Sequence, residues 1–211
     1  EVLGLGERLR ELTVPCEPRF FLVSSAGGLF EGQSNVNASS VPAPLRGYGR
    51  YKLLQEKTLE SAPGYAATFV YRPSTIYGHS PKGRIGLISA LLLNGIRHRV
   101  SLISGSATTL RDYVFNGDVA RFLVSEILAP PAGAGHRMRF LVSAKPSSIM
   151  EIGRLVEELL RRKLYLAYEM GPRNALHNTY SHALIPTGWS ATSLREGIQA
   201  VWRGVMQSEL I

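Results

Sequence analysis

Short apolar runs alternate with stretches of helical periodicity along the whole chain, and no other feature restricts the fold as strongly. Arg19–Ser25 (RFFLVSS) and Ala66–Arg72 (AATFVYR) are nearly continuous apolar segments of strand length. That is the pattern of strands buried on both faces of a parallel sheet. Val100–Ser104, Phe140–Ser143 and Leu164–Tyr168 read as further strands, with a short one inside Ala107–Phe115. Helical spacing predicts helices over Glu1–Leu12, Tyr48–Ser61, Ile85–Asn94, Asp118–Leu128, Ser147–Arg162 and Ser193–Val205. Ser147 or Ser148 with Glu151 behind it forms a capping box at the fifth of these, and Asp118 reads as the N-cap of the fourth. Ala26–Pro44 and Pro73–Gly83 are rich in turn-forming residues and read as loops. Strands that alternate with helices build an α/β fold on a mainly parallel sheet. The Pro130–Gly135 stretch (PPAGAG) reads as the break between a sheet domain, 1–135, and a smaller C-terminal α/β lobe, 136–211, into which part of 79–112 is interleaved.

Composition narrows the class of function. With 45% apolar and 19% charged residues in 211, the balance is that of a globular chain. No apolar run reaches the roughly 18 residues that a bilayer-spanning helix needs. The charged Glu1–Leu12 stretch does not read as a secretory leader. A lone cysteine, Cys16, excludes an internal disulfide framework and fits a reducing, cytoplasmic compartment. The formal charge of +8 points to an anionic partner, which could be nucleic acid, a membrane or a phosphorylated small molecule. Apart from Arg161-Arg162-Lys163 and the Arg97/Arg99 pair the arginines are scattered, and no aromatic residues interleave with them as a nucleic-acid platform requires. The expectation is therefore neither a nucleic-acid nor a membrane partner. The five histidines are dispersed without metal-ligand spacing, so no metal is expected.

One constellation carries chemistry. Tyr48 and Lys52 are four residues apart on a predicted helix and share a face. An ammonium beside a phenol favours the phenolate, and a tyrosine tuned in this way can move a proton to or from a substrate oxygen. Tyr51 competes as the tyrosine, but its own i+4 residue is the uncharged Gln55. Ser25 closes an apolar strand, where side chains of parallel sheets line the ligand crevice. It could orient the same reacting oxygen, or cap the turn at Ala26-Gly27-Gly28 together with Ser24, or do both. Arg111 and Arg173 could each grip a phosphate through a planar guanidinium fork; the alternative for both is an ordinary surface arginine.

These motifs together resemble the extended short-chain dehydrogenases/reductases that act on nucleotide sugars. FLVSSAGGLF (Phe21–Phe30) is similar to the family's serine strand and turn. PAPLRGYGRYK (Pro42–Lys52) is similar to the Tyr-x-x-x-Lys stretch, and VYRPSTIYG (Val70–Gly78) to the Arg-Pro-Ser-Asn-Val-Tyr-Gly segment. LRDYVFNGDVA (Leu110–Ala120) resembles Arg-Asp-Tyr-Ile-Tyr-Val-Asp-Asp-Val-Ala. Gly188-Trp189 with Ser193–Ile198 resembles the closing Gly-Trp and Ser-Leu-x-Glu-Gly-Ile pattern. The resemblance runs over essentially the whole chain. It implies a Rossmann-like doubly wound sheet with its N-terminal part absent, because the family's opening Gly-x-x-Gly-x-x-Gly turn has no counterpart here; Gly4-Leu5-Gly6 has no strand before it. It implies catalytic roles for Ser25, Tyr48 and Lys52, with Tyr48 as acid/base, and a cofactor, NAD (or NADP), held by Tyr48, Lys52, Pro73 and Ser74. Arg111 and Arg173 would grip the diphosphate of a nucleotide-sugar substrate. It further implies a homodimer packed through the Glu1–Leu12 and Tyr48–Ser61 helices. Leu29-Phe30-Glu31 and Asn116-Gly117-Asp118 depart from the family's Val-Tyr-Gly and Val-Asp-Asp. Ala26 and Gly27 stand where the dehydratase branch carries acids, which tilts the expectation toward epimerase or reductase chemistry. A non-catalytic nucleotide-sugar-binding or interaction module on the same scaffold is the alternative.

Overall fold

The computed structural model describes residues 19–60, 67–79, 85–130, 133, 135–169 and 176–209. The helix expected over Glu1–Leu12, Cys16 and the phosphate candidate Arg173 lie outside the described residues. In chain order the strands are β1 (Arg19–Val23), β2 (Ala67–Pro73), β3 (Thr75–Tyr77), β4 (Val100–Ser104), β5 (Leu110–Arg111), β6 (Tyr113–Phe115), β7 (Gly135–Leu141), β8 (Ser147–Ser148) and β9 (Tyr165–Glu169). The helices are α1 (Ala26–Leu29), a single turn, α2 (Gly47–Glu60), α3 (Leu87–Ile96), α4 (Asn116–Leu128), α5 (Ile149–Leu160) and α6 (Leu194–Glu209).

β1, β2 and β7 form a parallel sheet in the order β1-β2-β7. The central strand β2 is buried at every residue, which is why its sequence is an apolar run rather than an alternation. Its two faces meet different helices. Val70 packs with Leu59 of α2, while Phe69 and Tyr71 pack with Val119 and Phe122 of α4 and with Trp189. Helices on both faces of a parallel sheet make the doubly wound, Rossmann-like arrangement.

A second core gathers α3, α5 and α6 around Ile103 of β4, through Leu91, Leu92, Ile152, Val156, Ile198 and Val201. Three small strand pairs complete the fold: β3 with β6 and β4 with β9, both parallel, and β5 with β8, antiparallel. A third cluster packs Ala26, Leu29, Phe30 and Val36 against Val142 and Tyr180, which ties the segment after β1 to the C-terminal part of the chain.

Four expectations are corrected. Ala26–Leu29 is a helical turn inside the segment read as loop, and Thr75–Tyr77 is a strand. β7 begins at Gly135, in register with β2 from Ala67↔Gly135 to Pro73↔Leu141, so the strand opens five residues before the expected Phe140 and places 135–141 in the sheet. Helix α4 starts two residues before Asp118 with Phe115 at the N-cap, and Asp118 is a buried first-turn residue instead.

Candidate active site

Ser25 follows β1 in extended backbone, φ −157°, and its Oγ accepts the Gly28 N–H at 3.1 Å. It therefore caps α1. Its neighbour Ser24 is buried and continues the β1–β2 ladder by donating its N–H to the Tyr71 carbonyl at 2.7 Å. The capped turn presents Gly28 to helix α2. A Cβ on Gly49 would lie 2.1 Å from the Gly28 carbonyl oxygen, so only glycine lets α2 run this close to the turn. The contact brings the Tyr48 ring to Gly28. A Cβ there would stand 3.0 Å from Tyr48 Cε1 and 3.3 Å from Ser25 Oγ. Ser25 and Tyr48 thus approach the same residue from two elements.

One helical turn on, Lys52 Nζ donates to the Val23 carbonyl at the end of β1, at 2.9 Å, and lies 6.0 Å from the centre of the Tyr48 ring. Partial burial pulls the Lys52 pKa down, and the Glu56 carboxylate partly offsets it. Tyr48 itself is 60% exposed, open to a ligand from the cleft side.

That cleft, of about 820 Å³, is lined by Ser25, Gly28, Tyr48, Ser74, Arg111 and Asn178 among others. Its volume is in the range of small-molecule and cofactor sites, about 300–1,000 Å³. Ser74 and Pro73 are buried at the end of β2. The Ser74 hydroxyl donates to Asp112 Oδ1 at 2.5 Å, and the fully buried Asp112 carboxylate also accepts the Ser143 N–H at 2.9 Å and hydroxyl at 2.7 Å. Three donors from two segments converge on it, which satisfies a carboxylate that has left water.

Arg111 sits half-buried on β5, paired with Ser147 and bridged to Asn178. Asn178 is itself pinned, donating to the Phe30 carbonyl at 2.6 Å and accepting from the Tyr180 hydroxyl at 2.5 Å. No carboxylate among the described residues pairs with the Arg111 guanidinium.

The cleft therefore brings together Ser25, Tyr48, Ser74 and Arg111, with Lys52 behind Tyr48 and Pro73 beneath Ser74. The sequence reading missed Gly49, Asp112, Asn178 and the buried ion pair of Arg72 with Glu56, whose bonds are 3.0 Å and 2.6 Å. The pair had a signal: an arginine inside a fully apolar strand needs a buried partner, and Glu56 lies one turn beyond Lys52. Asp118, expected to cap a helix, joins Arg121 and accepts the Thr192 N–H at 2.6 Å and hydroxyl at 2.8 Å, fastening α4 to the segment before α6. Among the described residues no three His, Cys, Asp or Glu side chains come together as a metal cage.

Three comparisons bear on this arrangement. Residues 3–138 match the family model of the NAD-dependent epimerase/dehydratase family. A Methanocaldococcus jannaschii protein, provisionally named a UDP-glucose 4-epimerase, is 30% identical over 105 residues, 46% of this chain and 34% of its own length. Among solved structures the chain is similar to the Bacillus cereus UDP-glucuronic acid 4-epimerase in complex with UDP-glucuronic acid and NAD. The TM-score is 0.81 at 20% identity, covering 98% of this chain and 66% of that one. The Thermotoga maritima UDP-glucose 4-epimerase with UDP-glucose also gives 0.81 at 20% identity, covering 100% and 69%. At that identity the two structures speak to the fold. The segment aligned with the Methanocaldococcus protein spans about a third of that relative.

Proposed function

The chain belongs to the NAD-dependent epimerase/dehydratase family, and on that premise we propose that it carries the catalytic part of an enzyme that remodels a nucleotide-diphosphate sugar through a transient keto intermediate. The observation that carries the reading is the meeting of Ser25 and Tyr48 at Gly28, with Lys52 one helical turn on and one cleft in front of them. In this reading the Tyr48 hydroxyl moves the proton of the reacting sugar oxygen, with the Lys52 ammonium one helical turn behind it. Ser25 Oγ receives the Gly28 N–H and keeps its own proton for the same sugar oxygen. Arg111 holds the diphosphate through paired N–H bonds, and Arg173 is assigned the same role.

The residues at the cleft suit the nicotinamide end of NAD (or NADP). Gly28 and Gly49 leave no Cβ where Ser25, Tyr48 and the turn close up. Lys52 would hold the adjoining ribose, and Pro73 and Ser74 would flank the ring. Bound NAD supplies a reversible hydride acceptor for the sugar carbon. No acidic residue stands in the turn after Ser25, which favours epimerase or reductase chemistry over dehydration. The division into a cofactor-binding domain and a C-terminal substrate lobe belongs to the same reading. So does a cytoplasmic homodimer packed through α2, whose outer face exposes Tyr51 and Leu54. No described helix is long and apolar enough to cross a membrane. Light scattering that reports a monomer at high concentration would remove the dimer.

The test is product analysis of the intact protein supplied with NAD and a UDP-hexose, with Arg111→Ala alongside. The reading expects an epimerised or reduced sugar nucleotide. It expects Arg111→Ala to weaken UDP-sugar binding about 10-fold or more, from loss of charge-assisted hydrogen bonds worth roughly 1.5–3 kcal/mol, while NAD binding stays. Binding of UDP-sugar without turnover would install the non-catalytic binding module in its place.

A further inference from the structure

We propose that the buried Glu56–Arg72 pair is a positioning device that sets helix α2, and with it Tyr48, against the Ser25 turn. The inference rests on the function proposed above. Arg72 donates from Nε and Nη2 to the two oxygens of Glu56, at 3.0 Å and 2.6 Å, and both side chains are almost wholly buried. Its guanidinium carbon also lies 5.6 Å from the centre of the Phe30 ring and 5.4 Å from that of Phe140. One side chain therefore meets α2, the end of the Ser25 turn and β7 from its place on β2. Glu56 lies one turn past Lys52 on α2. Phe30 ends the turn that Ser25 opens. Phe140 is on β7, and Arg72 itself precedes Pro73 and Ser74.

The close approach of Gly49 to Gly28 sets how near α2 comes to the turn, and the other contacts leave its rotation and axial position less fixed. Leu59 on Val70 is an apolar contact that tolerates sliding, and the Lys52 bond to the Val23 carbonyl is a single anchor. A bidentate fork admits one orientation of the two groups and so sets both the rotation and the axial position of the helix. A planar cation between two aromatic rings cannot be replaced by a lysine of the same charge. Buried ion pairs contribute little net stability compared with apolar replacements, so the benefit of this one lies in geometry. Geometry is what the site needs, because a displacement of about 1 Å in a reacting group can cost about 100-fold in rate. Neither residue lines the cleft, so the pair acts through α2 rather than on a ligand.

The experiment uses the intact protein with NAD and a UDP-hexose. Arg72→Lys keeps the charge and loses the fork. The expected result is a fall in kcat of about 10-fold or more, a KM for the sugar nucleotide within about two-fold of wild type, and a shift of the Tyr48 ring resonances in the ligand-free protein, with those of Tyr165 on β9 unmoved. The double variant Glu56→Leu/Arg72→Met removes both charges together and leaves none unpaired. It is expected to melt near the wild-type temperature and still to show the lowered kcat. Wild-type kcat or unmoved Tyr48 resonances in Arg72→Lys overturn the proposal, as does recovery of kcat along with stability in the double variant. Should the double variant fail to fold, Arg72→Lys decides alone. A wild-type protein without turnover refutes the proposed function itself and takes this inference with it; an active wild type with unaffected variants refutes only the inference.

Discussion

Gly49 and Asp112 show how much of the site depends on residues that carry no chemistry themselves. Gly49 separates Tyr48 from the rest of its helix and looks unremarkable in sequence, yet a methyl group there would stand 2.1 Å from the Gly28 carbonyl oxygen. Gly49→Ala must therefore push α2 off the Ser25 turn, at a cost of about 1–3 kcal/mol as for other overpacked contacts. Gly47→Ala is the matched control, because nothing lies within 4 Å of a Cβ at that position. Denaturant titration should show a loss for Gly49→Ala and none for Gly47→Ala; equal midpoints would mean that the close approach does not matter. Ser25, Tyr48 and Lys52 were legible because their spacing and side-chain chemistry are local. Asp112 and Asn178 were not, because each takes its role from partners far along the chain: Asp112 from Ser74 and Ser143, Asn178 from Phe30.

At the scale of single elements, α5 is the clearest case of a helix written in its own residues. Ser148 Oγ accepts the Glu151 N–H at 3.1 Å, as the capping pattern implied, and Ile149, Ile152 and Val156 bury one face. Ser148→Ala removes that acceptor and should lower stability by about 1 kcal/mol with turnover unchanged; a silent thermal melt would show that water replaces the cap without cost. Strand β2 was equally plain, since a strand buried on both faces is mostly apolar, and only Thr68 and Arg72 interrupt it. α1 was hidden because Ala-Gly-Gly-Leu has no helical preference. It forms because Ser25 caps it and because Ala26 and Leu29 are buried against Val36, Val142 and Tyr180. β3 was hidden for a related reason, its three residues being held by β6 rather than by any pattern of their own. Asp118 followed the local rule for an N-cap and was drawn inward instead by Thr192.

On the scale of the molecule, alternation alone predicted a parallel α/β sheet, and the described residues carry a doubly wound core with a helical body beside it. Both bodies contain buried tyrosines. Burial pushes the Tyr113 phenol up to about 12, with Arg111 pulling the other way, and lifts Tyr71, Tyr77 and Tyr180 still further. Between the ordinary tyrosine value of 10.0 and these raised values the folded chain keeps protons that the unfolded chain has released. The stability contributed by these groups is thus full below pH 10 and lost as pH rises beyond it. An alkaline titration followed by tyrosinate absorbance should show these four of the nine tyrosines ionising together with unfolding; smooth titration of all nine in a folded protein would contradict their burial. The role proposed for Tyr48 is that of the acid/base of a nucleotide-sugar enzyme. The direct test is turnover of a UDP-hexose by the intact, NAD-supplied protein and by Tyr48→Phe, with the affinities for NAD and UDP-sugar measured in parallel. The account predicts that turnover falls about 100- to 10,000-fold, the range of general acid–base catalysis, while both affinities stay near wild type. Undiminished turnover in Tyr48→Phe would contradict it.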